Sequence, residues 1–381
     1  MRLRDFEVCL LHGGEAVPGF ELPQTIEVVN LPALKSDAEF QSLFVADGLR
    51  GLEEAKEMRR RLILSAYSRL NPDLLILELF PFGRRQFDFE LLPLLERAHT
   101  NRGTTKVVCS LRDILVGKSD QARYEQEACQ LMNKYFDLLL IHADPKFQTL
   151  NETFSRVRDI NCEIQYTGYV VQSPQSLTDG RPDRFPAEPF VLVSIGGGRV
   201  GHELVECAIE AAAIVGRSVP HRMHIIAGPY MPGEQFARFQ KLASDQVGVT
   251  VERFTERFAS YLRTADLSIS MAGYNTCMDI LAAGVRSLVY PFTGHNNQEQ
   301  TVRARKLEQM GAVTMIREEQ LTPAHLAEEM IRCLRSPASA TRAAAVTLDM
   351  SGAEKTARLL TELAARDFAE KGPHDKSSSF G

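Results

Sequence analysis

Three features that the sequence lacks narrow the class of protein. No apolar run in its 381 residues approaches the roughly 20 residues of a membrane-spanning helix, and the first residues lack the apolar core of a secretory signal. The seven cysteines never fall at Cys-x-x-Cys spacing, and most lie in apolar stretches typical of reduced core residues. The net charge of −5 shows no excess of basic residues. We therefore expect a cytoplasmic protein with reduced thiols and no nucleic-acid partner.

The composition and the pattern of apolar residues indicate an α/β protein. A hydrophobic fraction of 44% and a charged fraction of 24% are ordinary for a globular protein, and 381 residues suffice for two domains. Short apolar runs without polar alternation, typical of strands buried on both faces, alternate with helical patterns, which predicts two Rossmann-like units with parallel sheets. The predicted strands are Glu7–Leu11, Ile26–Leu31, Leu74–Glu78, Lys106–Ser110, Leu138–His142, Glu163–Tyr166, Phe190–Ile195, His224–Ala227, Thr250–Arg253, Leu267–Ser270, Ser287–Tyr290 and Val313–Ile316.

One segment interrupts this alternation. Residues 172–189 are rich in Pro, Ser, Asp and Gly and have no apolar period, which predicts a linker. We therefore expect an N-terminal domain over residues 1–171 and a C-terminal domain over residues 190–350. A last helix over residues 351–370 is expected to cross back to the N-terminal domain. Residues 371–381 are polar and are predicted to be a disordered tail.

A glycine-rich turn opens the C-terminal half. A predicted strand ends at Ile195, and a cluster of glycines follows before a helical pattern begins: Gly196, Gly197, Gly198 and Gly201. Glycines let a backbone approach a diphosphate closely, and the following helix offers unpaired N–H donors. A tight strand-to-helix turn without a ligand explains the same residues equally well. The spacing is not that of the dinucleotide-binding fingerprint.

A predicted helix further along the chain carries a second group of polar residues. A strand that ends at Ser270 is followed by Asn275 or Thr276, either of which is predicted to cap a helix that ends at Gly284. Asp279 lies one turn inside that helix, on the same face as both candidate caps. Its carboxylate either stabilises the helix dipole or accepts hydrogen bonds from the two vicinal hydroxyls of a ribose.

A second helix start follows the next predicted strand. That strand leads into Pro291 and a polar loop, after which Gln298, Glu299 and Gln300 open the helix. Glu299 and Gln300 are either solvated or ligands for sugar hydroxyls, and His295 in the loop is either solvated or in contact with a phosphate or sugar oxygen. Because parallel strands carry their loops at one edge of a sheet, both helix starts border one crevice. Such a crevice suits the phosphates and hydroxyls of a nucleotide sugar.

Eight stretches carry a resemblance to known proteins: Gly13–Phe20, Glu78–Arg85, Ser110–Leu115, Tyr166–Tyr169, Ser194–Gly201, Val251–Phe258, Ser270–Gly284 and Pro291–Ala304. The second half of the chain resembles the C-terminal, donor-binding domain of family-28 glycosyltransferases, which include the peptidoglycan N-acetylglucosaminyltransferase. Nearly the entire chain is similar to a family of uncharacterised bacterial predicted glycosyltransferases. The resemblance implies a GT-B fold, in which two Rossmann-like domains with parallel sheets face a central cleft.

The resemblance also implies a role for each part of the site. The diphosphate would lie between the glycine turn and the start of the Asp279 helix, and the base would meet the backbone near Phe254 and Thr255. Asp279 stands where the family usually has a glutamate for the ribose, so its reach is shorter by one methylene. The donor sugar would be held at the start of the second helix. The donor-binding residues predicted by motif and resemblance together are Gly196, Gly197, Gly198, Gly201, Phe254, Thr255, Gly273, Asn275, Thr276, Asp279, His295, Glu299 and Gln300.

One mark of the family is absent from this sequence. Family members normally begin with a strand and a glycine loop that ends in a histidine beside the acceptor hydroxyl. This chain contains no Gly-x-Gly-His and starts with what resembles the family's second strand. We expect that an N-terminal segment with the first strand is missing, and the alternative is a truncated, inactive form. The catalytic base is unknown, with His12 and Asp113, at the ends of two predicted strands, as weak candidates.

The predicted function is inverting transfer of a hexose or N-acetylhexosamine from a nucleotide sugar, with UDP as the expected nucleotide. The chain contains no Asp-x-Asp, with which metal-dependent transferases hold a divalent ion, so we expect no metal and no other cofactor. The acceptor is open, with lipid-linked molecules, polysaccharides and contact with a membrane surface considered. Phe80–Phe87 either meets such an anionic acceptor or is a loop that buries its aromatics beneath solvated arginines. The alternatives are a nucleotide-sugar hydrolase or epimerase, and a non-catalytic nucleotide-sugar-binding protein.

Overall fold

The chain divides into two compact units. The computed structural model describes residues 6–15, 17, 22–36, 42–46, 48, 51–100, 105–171, 188–294, 298–336 and 348–371. Unit 1 comprises the described residues of Met1–Ala16, Glu21–Tyr169 and Ser351–Gly381, and unit 2 comprises those of Val17–Phe20 and Val170–Met350. Most of the predicted linker and the predicted tail beyond residue 371 lie outside the described residues.

Strands and helices alternate in both units. The strands are β1 Val8–His12, β2 Ile26–Asn30, β3 Leu34–Ser36, β4 Leu43–Val45, β5 Leu74–Glu78, β6 Lys106–Leu111, β7 Leu138–Ile141, β8 Glu163–Tyr166, β9 Phe190–Ser194, β10 Arg222–Ile226, β11 Val249–Glu252, β12 Leu267–Met271, β13 Ser287–Tyr290 and β14 Thr314–Met315. The helices are α1 Leu52–Leu70, α2 Asp88–Thr100, α3 Gln121–Tyr135, α4 His202–Gly216, α5 Gly233–Ser244, α6 Phe258–Thr264, α7 Tyr274–Ala283, α8 Glu299–Gln309, α9 Pro323–Arg335 and α10 Gly352–Lys371. Every strand predicted from the sequence is present, with its ends displaced by at most two residues.

Unit 2 is built on a six-stranded parallel sheet. The strand order is β11-β10-β9-β12-β13-β14, and all five residues of β9 and of β12 are buried. Val193, Ile269 and Leu288 on the central strands have no exposed surface. Each such side chain contributes about 1.5–3 kcal/mol by leaving water. Burial on both faces explains why these strands read as continuous apolar runs in the sequence.

Unit 1 contains three separate sets of paired strands among its described residues. Four parallel strands form one sheet in the order β5-β6-β7-β8, β1 and β2 form a parallel pair, and β3 and β4 form an antiparallel pair. The sequence predicted neither the antiparallel pair nor the separation of β1 and β2, because strands of three residues give no periodic signal and pairing is a long-range property.

Two helices connect the parts of unit 1. The buried guanidinium of Arg59 on α1 donates to both carboxylate oxygens of Glu90 on α2, at 2.7 and 2.6 Å, and to the carbonyl of Gly13 after β1 at 3.0 Å. On α10, Leu360 and Leu363 pack against an apolar cluster of β6 and β7. The last helix is therefore part of the core of unit 1. None of the helices in the described ranges is long and apolar enough to cross a membrane.

Candidate functional site

The strand order of unit 2 reverses between β9 and β12. β9 has β10 on one side and β12 on the other, and Ser194 on β9 pairs in register with Ser270 on β12. The loops that leave the carboxyl ends of these two strands therefore border one crevice. Open parallel sheets bind ligands at such a reversal. Gly196 and Gly273 lie in these two loops, one on each side of the crevice.

Two glycines of the glycine turn, Gly198 and Gly201, are closely packed against other parts of the protein. A Cβ on Gly198 would overlap the backbone at Ala227, in the turn after β10, and a Cβ on Gly201 would overlap a side chain of β12. Tyr230 donates its backbone N–H to the carbonyl of Gly197 at 2.9 Å. Close packing within the protein therefore explains why Gly198 and Gly201 are glycines, without any ligand.

Gly196 and Gly273 are surrounded differently. A Cβ on either would meet no heavy atom within 4 Å in the part of the chain that the structure describes. Gly196 has a φ of +66°, which by itself favours glycine. Gly273 has a φ of −65° and a ψ of 152°, which any residue adopts. Neither the backbone conformation nor the packing at position 273 requires glycine, and the absence of a side chain leaves this backbone accessible to a ligand.

The helix after β12 begins earlier than the sequence predicts. α7 starts at Tyr274 with Gly273 as its N-cap, so the prediction that Asn275 or Thr276 caps this helix is wrong. The extended backbone of Gly273 already provides the geometry of an N-cap, and both polar residues lie in the first turn. Because glycine has no side chain, the N-cap residue gives the first N–H groups of α7 no side-chain cap. The predicted end of the helix at Gly284 is confirmed.

Asp279 lies in the second turn of α7, one turn beyond Asn275 and Thr276. Its half-buried carboxylate has no hydrogen bond or ion pair with the residues that the structure describes. Burial raises its pKa from 3.8 to about 6. A carboxylate in this condition destabilises the fold and is a ready acceptor for the hydroxyls of a ligand.

The start of α8 is confirmed, with Gln298 as the N-cap and Glu299 as the first residue. Both predicted sugar ligands have partners within the protein. Glu299 accepts a hydrogen bond from the guanidinium of Arg303 at 2.7 Å, and the side-chain oxygen of Gln300 accepts one from the backbone N–H of Phe292 at 3.0 Å. These contacts fix the orientation of the two side chains, and their contact with a sugar stays a prediction.

Arg303 is the residue of this site that the sequence analysis did not identify. Its side chain has no exposed surface, donates to the carbonyl of Ala272 at 3.0 Å and lies 5.6 Å from the ring centroid of Tyr274. Arg303 therefore attaches α8 to the turn from which α7 begins. Its spacing of four residues from Glu299, next to the buried Ala304, was the available signal.

The remaining predicted donor contacts lie at different places. Phe254 and Thr255 follow β11, two strands from β9, and the hydroxyl of Thr255 accepts from the backbone N–H of Arg257 at 3.2 Å. Both residues are half-buried. His295 lies outside the described residues, so its contact with a phosphate or sugar oxygen stays a prediction.

The weak catalytic candidates belong to unit 1. His12 is the last residue of β1 and is half-buried, whereas Asp113 follows β6 and is 1% exposed. In the segment with two arginines, Phe80 and Phe82 are buried, and Arg85 pairs with a neighbouring aspartate. The burial of Phe80 and Phe82 supports the alternative of a loop that buries its aromatics, and it does not decide the role of Arg84.

Comparison with known proteins identifies the C-terminal half. Residues 191–360 match the model of the glycosyltransferase family 28 C-terminal domain. This half of the chain is similar to the C-terminal domain of family-28 glycosyltransferases. The UDP-N-acetylglucosamine--N-acetylmuramyl-(pentapeptide) pyrophosphoryl-undecaprenol N-acetylglucosamine transferase of Methylobacterium radiotolerans is 25% identical over 184 residues, which are 48% of this chain and 50% of that protein. The chain spans about half the length of the curated relatives it matches.

Solved structures extend the likeness to most of the chain. The structure of UGT2 from Phytolacca americana, in complex with UDP-2fluoro-glucose and pterostilbene, has a TM-score of 0.60 and 14% identity. It covers 95% of this chain and 93% of that chain. The calicheamicin glycosyltransferase CalG4 has a TM-score of 0.56 and 18% identity, and covers 91% of this chain and 87% of that chain. At these identities the likeness concerns the fold, and it confirms the predicted α/β GT-B fold around the family-28 domain.

Proposed function

We propose that this protein is a glycosyltransferase and that its family-28 domain binds a nucleotide sugar in the crevice between β9 and β12. The observation that carries the proposal is the carboxylate of Asp279, half-buried and without a partner among the described residues, on a helix whose first N–H groups have no side-chain cap. Gly196 and Gly273 leave open space on both sides of the crevice. The name of the relative from Methylobacterium radiotolerans includes UDP-N-acetylglucosamine, which supports UDP as the nucleotide.

The diphosphate of the donor is assigned to the first turn of α7. Unpaired N–H groups at a helix start bind phosphate oxygens and stabilise negative charge. The side chains of Asn275 and Thr276 in that turn add further donors. On the opposite side the exposed Gly196, whose N–H donates to Oγ of Ser194 at 3.3 Å, leaves room for the phosphates. Asp279, one turn deeper, takes the two hydroxyls of the ribose, which a carboxylate accepts together.

The other parts of the donor follow from the predicted residues. The base meets the backbone near Phe254 and Thr255, and the donor sugar meets Glu299 and Gln300, whose orientations are fixed by protein contacts. During transfer, negative charge develops on the departing diphosphate, and the amides of α7 stabilise it. We propose that the transfer is inverting and independent of a metal ion.

Thermal unfolding with a panel of nucleotide sugars tests the donor site. UDP-N-acetylglucosamine, UDP-glucose, GDP-mannose and TDP-glucose are each added in the presence of EDTA, and binding of one nucleotide class raises the melting temperature. Asp279→Ala abolishes the shift. The control is Asp245→Ala, because Asp245 is an exposed aspartate at the end of α5 in the same unit. No shift with any donor, or an undiminished shift in Asp279→Ala, contradicts the proposal.

Turnover separates a transferase from the other enzyme classes. Incubation of the protein with the donor that binds, but without an acceptor, yields little free sugar if the protein is a transferase. Rapid release of free sugar identifies a hydrolase instead. The anomeric configuration of a transferred sugar, read by proton NMR, decides whether the transfer is inverting.

A further inference from the structure

The carboxyl edge of the β5–β8 sheet in unit 1 carries a chain of hydrogen bonds between three strands. Ser110 is on β6, His142 follows β7 and Thr167 follows β8. The Oγ of Ser110 lies 2.8 Å from Nε2 of His142, and Nδ1 of His142 lies 2.9 Å from Oγ1 of Thr167. The hydroxyl of Thr167 donates to the carbonyl of Gly168 at 2.9 Å. This chain of polar groups has no part in the donor site of unit 2.

The direction of each hydrogen bond follows from the last one. A threonine hydroxyl has one proton, and the two carbonyls within its reach, those of Gly168 at 2.9 Å and Ile141 at 3.4 Å, can only accept it, so Thr167 accepts from His142. Nδ1 of His142 therefore carries the ring proton, and Nε2 accepts a hydrogen bond from Ser110. The oxygen of Ser110 then has only lone pairs left for a ligand. It recognises a group that donates a proton, such as an alcohol.

Burial and a neighbouring positive charge keep His142 in this arrangement. Burial and then the nearby guanidinium of Arg112 lower the pKa of His142 to about 4, against the opposing effect of Glu78. The ring is therefore neutral at physiological pH, and its tautomer is set by Thr167. A neutral ring that accepts from Ser110 fixes the orientation of that hydroxyl.

A second acceptor lies beside Ser110. Glu78 at the end of β5 is the register partner of Ser110 on β6, so the two side chains point to the same face of the sheet. Arg84 and Arg112 each donate to one carboxylate oxygen of Glu78 at 3.0 Å. Although burial alone would raise it, these two arginines hold the pKa of the Glu78 carboxyl below its usual range.

The backbone of this segment adopts two unusual conformations. Leu79 and Arg84 have φ values of +68° and +56°, in the left-handed region that residues with a Cβ rarely occupy. Such conformations cost about 1–3 kcal/mol each and cluster at ligand-binding sites. Here they place the guanidinium of Arg84 against Glu78.

We propose that Ser110 and Glu78 form a binding site for a ligand with neighbouring hydroxyls, and that this ligand is the sugar or polyol acceptor of the proposed transfer. This inference rests on the proposed function. One ligand hydroxyl donates to Ser110 and a second donates to Glu78, while Arg84 and Arg112 donate to ligand oxygens. His142 and Thr167 are positioning residues, because they act through Ser110.

NMR of the full chain labelled with 15N-histidine tests the site directly. The probes are methyl β-D-glucopyranoside, glycerol and myo-inositol. The ring nitrogens of His142 report an Nδ1-protonated tautomer, and at least one probe shifts them in a saturable way. Ser110→Ala abolishes that response and Ser110→Thr retains it, because threonine keeps the hydroxyl. An Nε2-protonated ring, no saturable shift with any probe, or an unchanged response in Ser110→Ala overturns the inference.

A matched control separates binding from folding. Thr105 precedes β6 at the opposite end of the same strand, and its hydroxyl pairs with that of Tyr67 at 2.8 Å. Thr105→Val removes one buried hydroxyl, as Ser110→Ala removes one half-buried hydroxyl, but it leaves the response of His142 to the probe unchanged. Loss of the response in Thr105→Val would show that the effect of Ser110→Ala comes from unfolding.

Kinetics then connect the site to transfer. With the probe that binds as acceptor, Ser110→Ala lowers kcat/KM for the acceptor about tenfold, as expected for one lost hydrogen bond, and leaves KM for the nucleotide sugar unchanged. A failure of the donor proposal has a different signature, because nucleotide sugars then cause no thermal shift while the probe still shifts His142. An equal loss of affinity for donor and probe in Ser110→Ala contradicts the assignment to the acceptor.

Discussion

Asp279 is held in an environment that disfavours its charged form, with consequences for stability that can be measured. Its pKa of about 6 in the folded protein lies above its ordinary value of 3.8. Stability therefore falls as pH rises from about 4 to about 6, because the folded state binds the proton more tightly. We expect Asp279→Asn to raise the free energy of unfolding by about 2 kcal/mol at pH 7.5 and by nothing below pH about 4. Urea unfolding at the two pH values measures both differences, and an equal gain at both would be incompatible with a desolvated charge.

Donor affinity should depend on the same ionisation. In the proposed site, ribose hydroxyls donate to the charged carboxylate, so a bound nucleotide sugar should lower the pKa of Asp279 below about 6. We expect the affinity for a nucleotide sugar to increase as pH rises through 6, and to be weaker and independent of pH in Asp279→Asn. Calorimetry at pH 5 and 7.5 with a nucleotide sugar is suitable, because its diphosphate carries substituents at both ends and has no ionisation in this range. The same pH dependence in both proteins would remove Asp279 from the ribose role.

The glycines of the crevice should divide into two kinds by substitution. Gly273→Ala meets open space in an ordinary conformation, so stability should stay within about 1 kcal/mol of the parent protein, while donor affinity falls at least about tenfold. Gly198→Ala places its Cβ in the backbone after β10 and should destabilise by about 2–4 kcal/mol. Denaturant unfolding and calorimetry on both variants separate the two effects. Unchanged donor affinity in Gly273→Ala would show that the ligand does not approach this backbone.

At the scale of elements, the buried contact between α8 and the start of α7 should be visible in a double-mutant cycle. Glu299→Gln removes the carboxylate 2.7 Å from a guanidinium without exposed surface, and we expect a loss of about 3–5 kcal/mol. Arg303→Met costs less, because Glu299 remains partly exposed to water. The double variant should lose less than the sum, with a coupling of about 1–3 kcal/mol. Additive losses in urea unfolding would show that the pair is not coupled.

The ends of helices were predictable where one residue determines them. Gly284 ends α7 in a left-handed conformation, and Thr322 caps α9 by accepting from the N–H of His325, as their residue types suggest. The start of α7 was not predictable in this way. Gly273 caps the helix by its backbone conformation alone, although Asn275 and Thr276, whose side chains are better suited to capping, follow it. Arg303 was missed because an arginine four residues after a glutamate is usually a solvated pair.

At the scale of the whole molecule, the alternation of strands and helices was sufficient to predict the α/β class and the parallel sheets. Burial on both faces produces the apolar runs of β9 and β12, which is a local signal. Contacts between strands that are distant in sequence leave no such signal. Ser110, His142 and Thr167 lie at the carboxyl ends of three strands that are separated by long connections. Their hydrogen bonds could therefore not be inferred from the spacing of these residues in the sequence. The same limit applies to the separate pairing of β1 with β2.

The last helix provides a test of how the stability of the two units is distributed. Leu360 on α10 is 2% exposed and packs with Val108 and Leu140 of unit 1, so Leu360→Ala should cost about 2–5 kcal/mol there. The matched variant is Leu326→Ala on α9, which removes the same buried side chain from the core of unit 2. Hydrogen exchange followed by mass spectrometry should show faster exchange in β6 and β7 for Leu360→Ala and in β9 and β12 for Leu326→Ala. The affinity for a nucleotide sugar, measured by calorimetry well below the unfolding transition, should be unchanged in Leu360→Ala, because the proposed donor site is in unit 2. Faster exchange confined to unit 2 in Leu360→Ala would show that α10 stabilises unit 2 instead.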